Sequence, residues 1–160
     1  MKKIFLLFAI SILSSSVTNS QNSIDSLTKG YKNGTLILVG GGKKTHQIMK
    51  RFKQEAGGGA KIIIIPTAIS FNLLTDYFPM VKKELTEEFK KHGFNNFTLL
   101  NPKDAKEAND EKFIESLKTA TGIYITAGGG QVRFMDIFSN TKALDEMFKL
   151  LDRGGVIIGS

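Results

Sequence analysis

Lys61-Ile62-Ile63-Ile64-Ile65-Pro66 sets four consecutive isoleucines between a lysine and a proline. A strand with one wet face alternates apolar and polar residues. A run without alternation suits a strand covered on both faces, as in a parallel sheet layered between helices. Four other stretches read the same way. Upstream lies Thr35-Leu36-Ile37-Leu38-Val39, which runs into Gly40-Gly41-Gly42. Downstream lie Phe97-Thr98-Leu99-Leu100, then Gly122-Ile123-Tyr124-Ile125-Thr126 ahead of Ala127-Gly128-Gly129-Gly130, and finally Val156-Ile157-Ile158 ahead of Gly159-Ser160.

The segments between these strands have helical period. Ile48, Met49 and Phe52 form one apolar stripe, stopped at Gly57-Gly58-Gly59. Tyr77, Val81, Leu85 and Phe89 step by four and predict one inward face, ending at Gly93 after the cations Lys90, Lys91 and His92. Pro79 fits only the first turn of that helix. Asn109-Asp110 caps a third helix with Phe113, Ile114 and Leu117 inward. A short helix over residues 131–138 precedes one capped by Thr141, with Leu144, Met147, Phe148 and Leu151 inward and Gly154-Gly155 as its stop. The order β-α-β-α-β-α-β-α-α-β predicts an α/β fold: a doubly wound, mostly parallel sheet with helices on both faces, flavodoxin-like or related.

The 160 residues suffice for one domain, and 41% hydrophobic with 23% charged residues is ordinary for a globular protein. There is no cysteine, which excludes disulfides and thiolate chemistry within the chain. Lys2-Lys3, an apolar run over residues 4–13 and a small polar stretch over 14–20 form the pattern of a cleaved secretory signal peptide. The apolar run is about half the length that spans a bilayer. The expected division is therefore 1–20 signal peptide, 21–33 polar lead-in and 34–160 α/β domain, secreted or periplasmic and free of the membrane after cleavage. Net charge is +7, yet the cations of residues 50–53, 82–83 and 90–91 lie on helix faces interspersed with Glu55, Glu84, Glu87 and Glu88. That is a solvated face, and no basic motif with interleaved aromatics points to nucleic acid.

In open α/β sheets ligands bind beyond the carboxyl ends of the strands, where this chain concentrates its glycines. Neither phosphate-binding fingerprint fits. Ile37 and Lys44 occupy required Walker A positions, and Thr45 stands where the dinucleotide fingerprint needs its third glycine. His46 and His92 lie far apart in sequence and read as surface helix residues, so no metal site and no cofactor is expected. The last strand resembles the entry to a nucleophile elbow, G-x-S-x-G. With Gly159 as first glycine, Ser160 is the intervening residue and the nucleophile would come next.

Taken in order, residues 34–42, 63–68 (Ile-Ile-Ile-Pro-Thr-Ala), 121–133 (Thr-Gly-Ile-Tyr-Ile-Thr-Ala-Gly-Gly-Gly-Gln-Val-Arg) and 154–160 (Gly-Gly-Val-Ile-Ile-Gly-Ser) resemble the cyanophycinase family of serine peptidases. The resemblance implies a class I glutamine-amidotransferase-like fold and a Ser-His-acid triad, of which this chain would be the N-terminal part. The family's last strand continues as G-[TS]-S-A-G-A, so the resemblance implies no catalytic residue up to Ser160 and an inactive 160-residue chain. Gln131 matches the glutamine of the family's G-G-D-Q motif and is the expected substrate-binding residue. Gly129 and Gly130, with Gly41 and Gly42, are the expected backbone donors of the oxyanion side. The expected partner is a peptide or an aspartyl polymer, and the full-length protein is compatible with a homodimer. Gly130 stands where the family usually has Asp, and Lys43-Lys44 where it often has an acidic pair. Both changes make the site less acidic, which disfavours a polymer that presents arginine side chains. The reading from another class is a non-catalytic module on the same fold that binds a small anion or a nucleotide.

Overall fold

The computed structural model describes residues 33–40, 45–69, 77–128 and 130–159. The signal peptide, nearly all of the lead-in, Gly41, Gly42, Lys43, Lys44, Gly129 and Ser160 lie outside the described residues. Strands β1 (Thr35–Leu38), β2 (Ile62–Ile65), β3 (Phe97–Leu99), β4 (Gly122–Ile125) and β5 (Val156–Gly159) form one sheet in the order β1-β5-β4-β2-β3. All four pairings are parallel. The helices are α1 (His46–Ala56), α2 (Phe78–Lys91), α3 (Ala105–Ala108), α4 (Glu111–Lys118), α5 (Gln131–Phe138) and α6 (Lys142–Asp152). None of them is long and apolar enough to cross a membrane.

The isoleucine run works as its composition dictates. All four residues of β2 are fully buried, because side chains alternate between faces and both faces are covered. Ile62 and Ile64 join Tyr124, Val156 and Ile158 under α1 and α2, which supply Met49, Phe52, Ala56 and Phe89. Ile63 and Ile65 join Ile123 and Ile157 under α3 to α6, which supply Ala108, Ile114, Leu117, Phe138 and Met147 among others. On the first face Phe89 meets Tyr124 edge-on with centroids 4.9 Å apart, and Phe94 packs 5.1 Å from Phe89. This is the offset geometry that aromatic quadrupoles favour.

Local chemistry sets the helix ends. Thr45, Asp110 and Thr141 each accept a hydrogen bond from a first-turn amide, of Ile48, Lys112 and Leu144 respectively. Pro79 does sit in the first turn of α2. Tyr77, expected on the inward face, is instead the residue before that helix and is exposed. Phe148, also expected inward, lies on the rim of α6 and is 44% exposed. The short helix α3 went unread in the sequence, although Asp104-Ala-Lys-Glu107 carries the cue. Asp104 accepts from the Glu107 amide at 2.8 Å, and the Glu107 carboxylate accepts from the Lys103 amide at 2.8 Å.

The crossovers follow one rule. The moves β1 to β2 and β2 to β3 run toward the β3 edge and place α1 and α2 on the first face. The moves β3 to β4 and β4 to β5 run back toward β1 and place α3 to α6 on the second face. Reversing direction and face together keeps every crossover the same hand, the right-handed one that strand twist favours. The two windings part between neighbours β2 and β4, whose outgoing helices α2 and α5 leave on opposite faces.

Candidate functional site

A crevice opens where outgoing connections part to opposite faces, beyond the strand carboxyl ends. Here that position lies between Pro66-Thr67-Ala68, leaving β2, and Thr126-Ala127-Gly128, leaving β4. The two turns touch through backbone. The Gly130 amide donates to the Ala68 carbonyl at 3.0 Å, and the Thr126 amide donates to the Ile65 carbonyl at 3.2 Å. The approach explains the glycines. A Cβ on Gly128 would lie 2.2 Å from the Ala68 oxygen, and one on Gly130 would lie 2.8 Å from it. No side chain fits at residue 128 without moving the β2 turn. The same contact engages the Gly130 N–H, so this amide faces Ala68 rather than a free oxyanion position.

A hollow of about 240 Å³ adjoins this contact, lined by Ala68, Ile125, Thr126, Gly130, Gln131, Phe134, Met135 and Gly159. The fold thus brings Gly130 and Gln131, at the entry to α5, beside the end of β5. These residues were linked in the sequence only by motif. Gln131 is the first residue of α5 and is exposed, with its side chain available to a ligand at the rim. No Asp, Glu, His, Lys or Arg is among the lining residues. The described part of the site can shape and hold a substrate, but it carries no group that exchanges a proton near neutrality. Larger hollows lie elsewhere. One of about 620 Å³, between the α1 and α2 carboxyl ends and lined by Lys50, Lys53 and Gly57-Gly58-Gly59 among others, lies at the amino ends of the strands, away from these turns.

Two threonines mark the crevice floor. Thr67 is 0% and Thr126 3% exposed, and neither hydroxyl has a hydrogen-bond partner. A buried hydroxyl without a partner costs roughly 1–3 kcal/mol, so such groups are uncommon in a core. Sequence reading passed over both, since a Thr within a strand end looks like ordinary β-propensity. Nearby on the first face, burial pushes the Tyr124 phenol well above its usual value, with the charge of Glu88 adding to the shift.

Far apart in sequence, the two histidines are brought together by the fold. His46 opens α1, His92 follows α2, and their rings stack with centroids 5.5 Å apart. The pair belongs to the packing of α1 against α2. No group of three or more potential metal ligands occurs among the described residues.

The model of peptidase family S51 matches residues 36–160. The crystal structure of a peptidase from an acI-B1 Actinobacterium aligns with a TM-score of 0.69 at 24% sequence identity, covering 82% of this chain and 55% of that one. At that identity the likeness speaks for the fold, and this chain spans little more than half the length of that peptidase. No curated protein matches the sequence.

Proposed function

The chain belongs to peptidase family S51, and from that premise we propose that it forms the N-terminal part of a secreted serine-type peptidase that hydrolyses aspartyl-type peptide or isopeptide bonds. The observation that carries the proposal is the convergence of Gly130, Gln131 and the β5 terminus on one hollow at the switch point. In this reading the residue after Ser160 is the serine nucleophile, placed on a sharp turn at the end of β5. A histidine and a carboxylate further along the polypeptide complete the triad. The histidine takes the serine proton as the hydroxyl attacks the scissile carbonyl, then returns it to the leaving amine.

The residues present supply the support. Gln131 hydrogen-bonds the substrate at the rim. The Gly130 amide is engaged by Ala68, so the oxyanion side falls to the other backbone donors that the resemblance implies. The Gly130–Ala68 contact also leaves no room for the aspartate common at this position in the family. The substrate is therefore a peptide or aspartyl polymer without a dense array of arginines.

Hydrolysis of β-aspartyl dipeptides and of cyanophycin by the polypeptide extended beyond Ser160 tests the proposal, with the next-residue serine changed to alanine as control. Turnover of the dipeptides that the control abolishes is the expected result. Equal turnover by the control removes the serine mechanism. A polypeptide without serine at that position favours the anion-binding module instead.

A further inference from the structure

Gly58 and Gly59 have no local reason to be glycine. Gly57 does, since it closes α1 with a φ of 83°, in the left-handed region that favours glycine. Its two successors are not left-handed, and a Cβ on either would meet nothing within 4 Å. At such positions the entropy of the unfolded chain favours a larger residue. Both glycines line the hollow of about 620 Å³ between the α1–β2 turn and the α2–β3 turn, and their bare backbone keeps it open.

The polar groups around the hollow have no partners. Lys50, Gln54, Asn95 and Asn96 line it, and none of these side chains makes a hydrogen bond or ion pair among the described residues. The Gly58 and Gly59 amides donate to no backbone carbonyl there either. Lys53 is engaged: its ammonium donates to the Gly93 carbonyl at 2.6 Å and lies 5.8 Å from the centre of the Phe94 ring. Two helix carboxyl ends bring partial negative charge to the site. It is offset, because the Gly57 amide caps the Gln54 carbonyl, the Gly93 amide caps the Lys90 carbonyl, and Lys90 and Lys91 stand in the last turn of α2. No carboxylate lines the hollow. Glu55, near the end of α1, is held by Arg51 and the Thr35 hydroxyl.

We propose that this hollow is a binding site for a small anion bearing carboxylate or phosphate groups. The Lys50 ammonium supplies the charge, and the Gly58–Gly59 backbone supplies amide donors to the anionic oxygens. The side-chain amides of Gln54, Asn95 and Asn96, which both donate and accept, hold the rest of the molecule. The volume lies within the range of small-molecule sites and admits a dipeptide. The site is at the amino ends of the strands, apart from the switch-point crevice. It rests on neither the proposed peptidase activity nor any residue beyond Ser160.

Titration calorimetry of the 160-residue chain tests the proposal with aspartyl-aspartate, with pyrophosphate and with alanyl-alanine, a dipeptide without side-chain carboxylates. Saturable binding of one or both anions is expected, and which of them binds distinguishes a carboxylate source from a phosphate one. Alanyl-alanine should bind at least about tenfold more weakly, and Lys50→Gln should weaken the anion by about tenfold. Gly59→Leu should abolish binding by filling the hollow, with the thermal midpoint little changed because nothing stands within 4 Å of the new Cβ. Should that variant fail to fold, Lys50→Gln at its exposed position decides alone. Affinity that Lys50→Gln leaves unchanged overturns the proposal, as does equal affinity for alanyl-alanine or the absence of saturable binding by both anions. Anion binding in a protein without peptidase activity leaves this site standing and removes only the proposed activity.

Discussion

Strands β1 and β2 are written in nearly the same residues and have different fates. Ile62–Ile65 is buried on both sides, whereas Thr35–Leu38 alternates between half-buried and exposed. A stretch of β-branched and aliphatic residues specifies what a strand requires around it and cannot by itself supply it. At β2 the requirement is met by helices on each face and a strand on each edge. At β1 one face and one edge are met. The same leucine or isoleucine therefore carries a different energetic weight according to its distance from the centre of the sheet.

Mutations along one register row measure that difference. Ile65→Ala, in the row that runs through Ile125 and Gly159 to Leu38, removes atoms from a fully packed position and should destabilise the fold by about 2–5 kcal/mol in urea denaturation. Leu38→Ala should change stability by no more than about 0.5 kcal/mol in the 160-residue chain. Comparable values at both sites would break the comparison. Gly128→Ala should cost about 1–3 kcal/mol, since the added methyl meets the Ala68 carbonyl and backbone must shift.

A smaller effect concerns pH. Burial raises the Tyr124 phenol in the folded state above its ordinary value of 10.0. The stabilisation is complete below that value and is lost as pH climbs toward the folded value, because the unfolded chain releases its proton first. Stability should therefore fall above pH ~10, and less steeply in Tyr124→Phe; identical alkaline slopes would dismiss Tyr124 as the source. Thr67→Val should stabilise the chain by up to about 1 kcal/mol, because it removes a buried hydroxyl without a partner. A clear loss of stability there would show that the hydroxyl is satisfied in solution. Least of all, Leu36→Lys with Leu38→Lys should leave stability within about 0.5 kcal/mol and raise the solubility of the 160-residue chain, by charging an open strand edge.

The five strands were legible because each is an apolar run bounded by glycine, proline or polar residues. Four of the helices announce themselves by period and caps, and the short α5 by its position between them. The placement of β5 between β1 and β4 was not legible, since pairing partners so distant in sequence leave no local trace. The stacking of His46 on His92 has the same cause. Tyr77 was misplaced because the helix begins one residue after it, and Phe148 because a period of four fixes a helix face but not how far the facing layer extends. At the site, the glycines after β4 were visible as a cluster. That Gly128 is required by the Ala68 carbonyl, and that the Gly130 amide is engaged there, depends on a contact between turns of different strands. Roles for Gly41, Gly42 and Gly129 lie outside the described residues and stay expectations of the resemblance.

The pairing of the first strand with the last has a consequence in time. β1 meets its partner only when Val156 has been made, and ribosomes add about 5–20 residues per second. For something on the order of ten seconds, an apolar strand near the start of the domain waits for a neighbour still being synthesised. The helices and strands formed meanwhile can pair among themselves, β2 with β3 and then with β4. The nascent chain is thus most vulnerable to wrong partners at its oldest strand, and translation speed or a chaperone that shields residues 35–39 should govern yield more than the stability of the finished sheet.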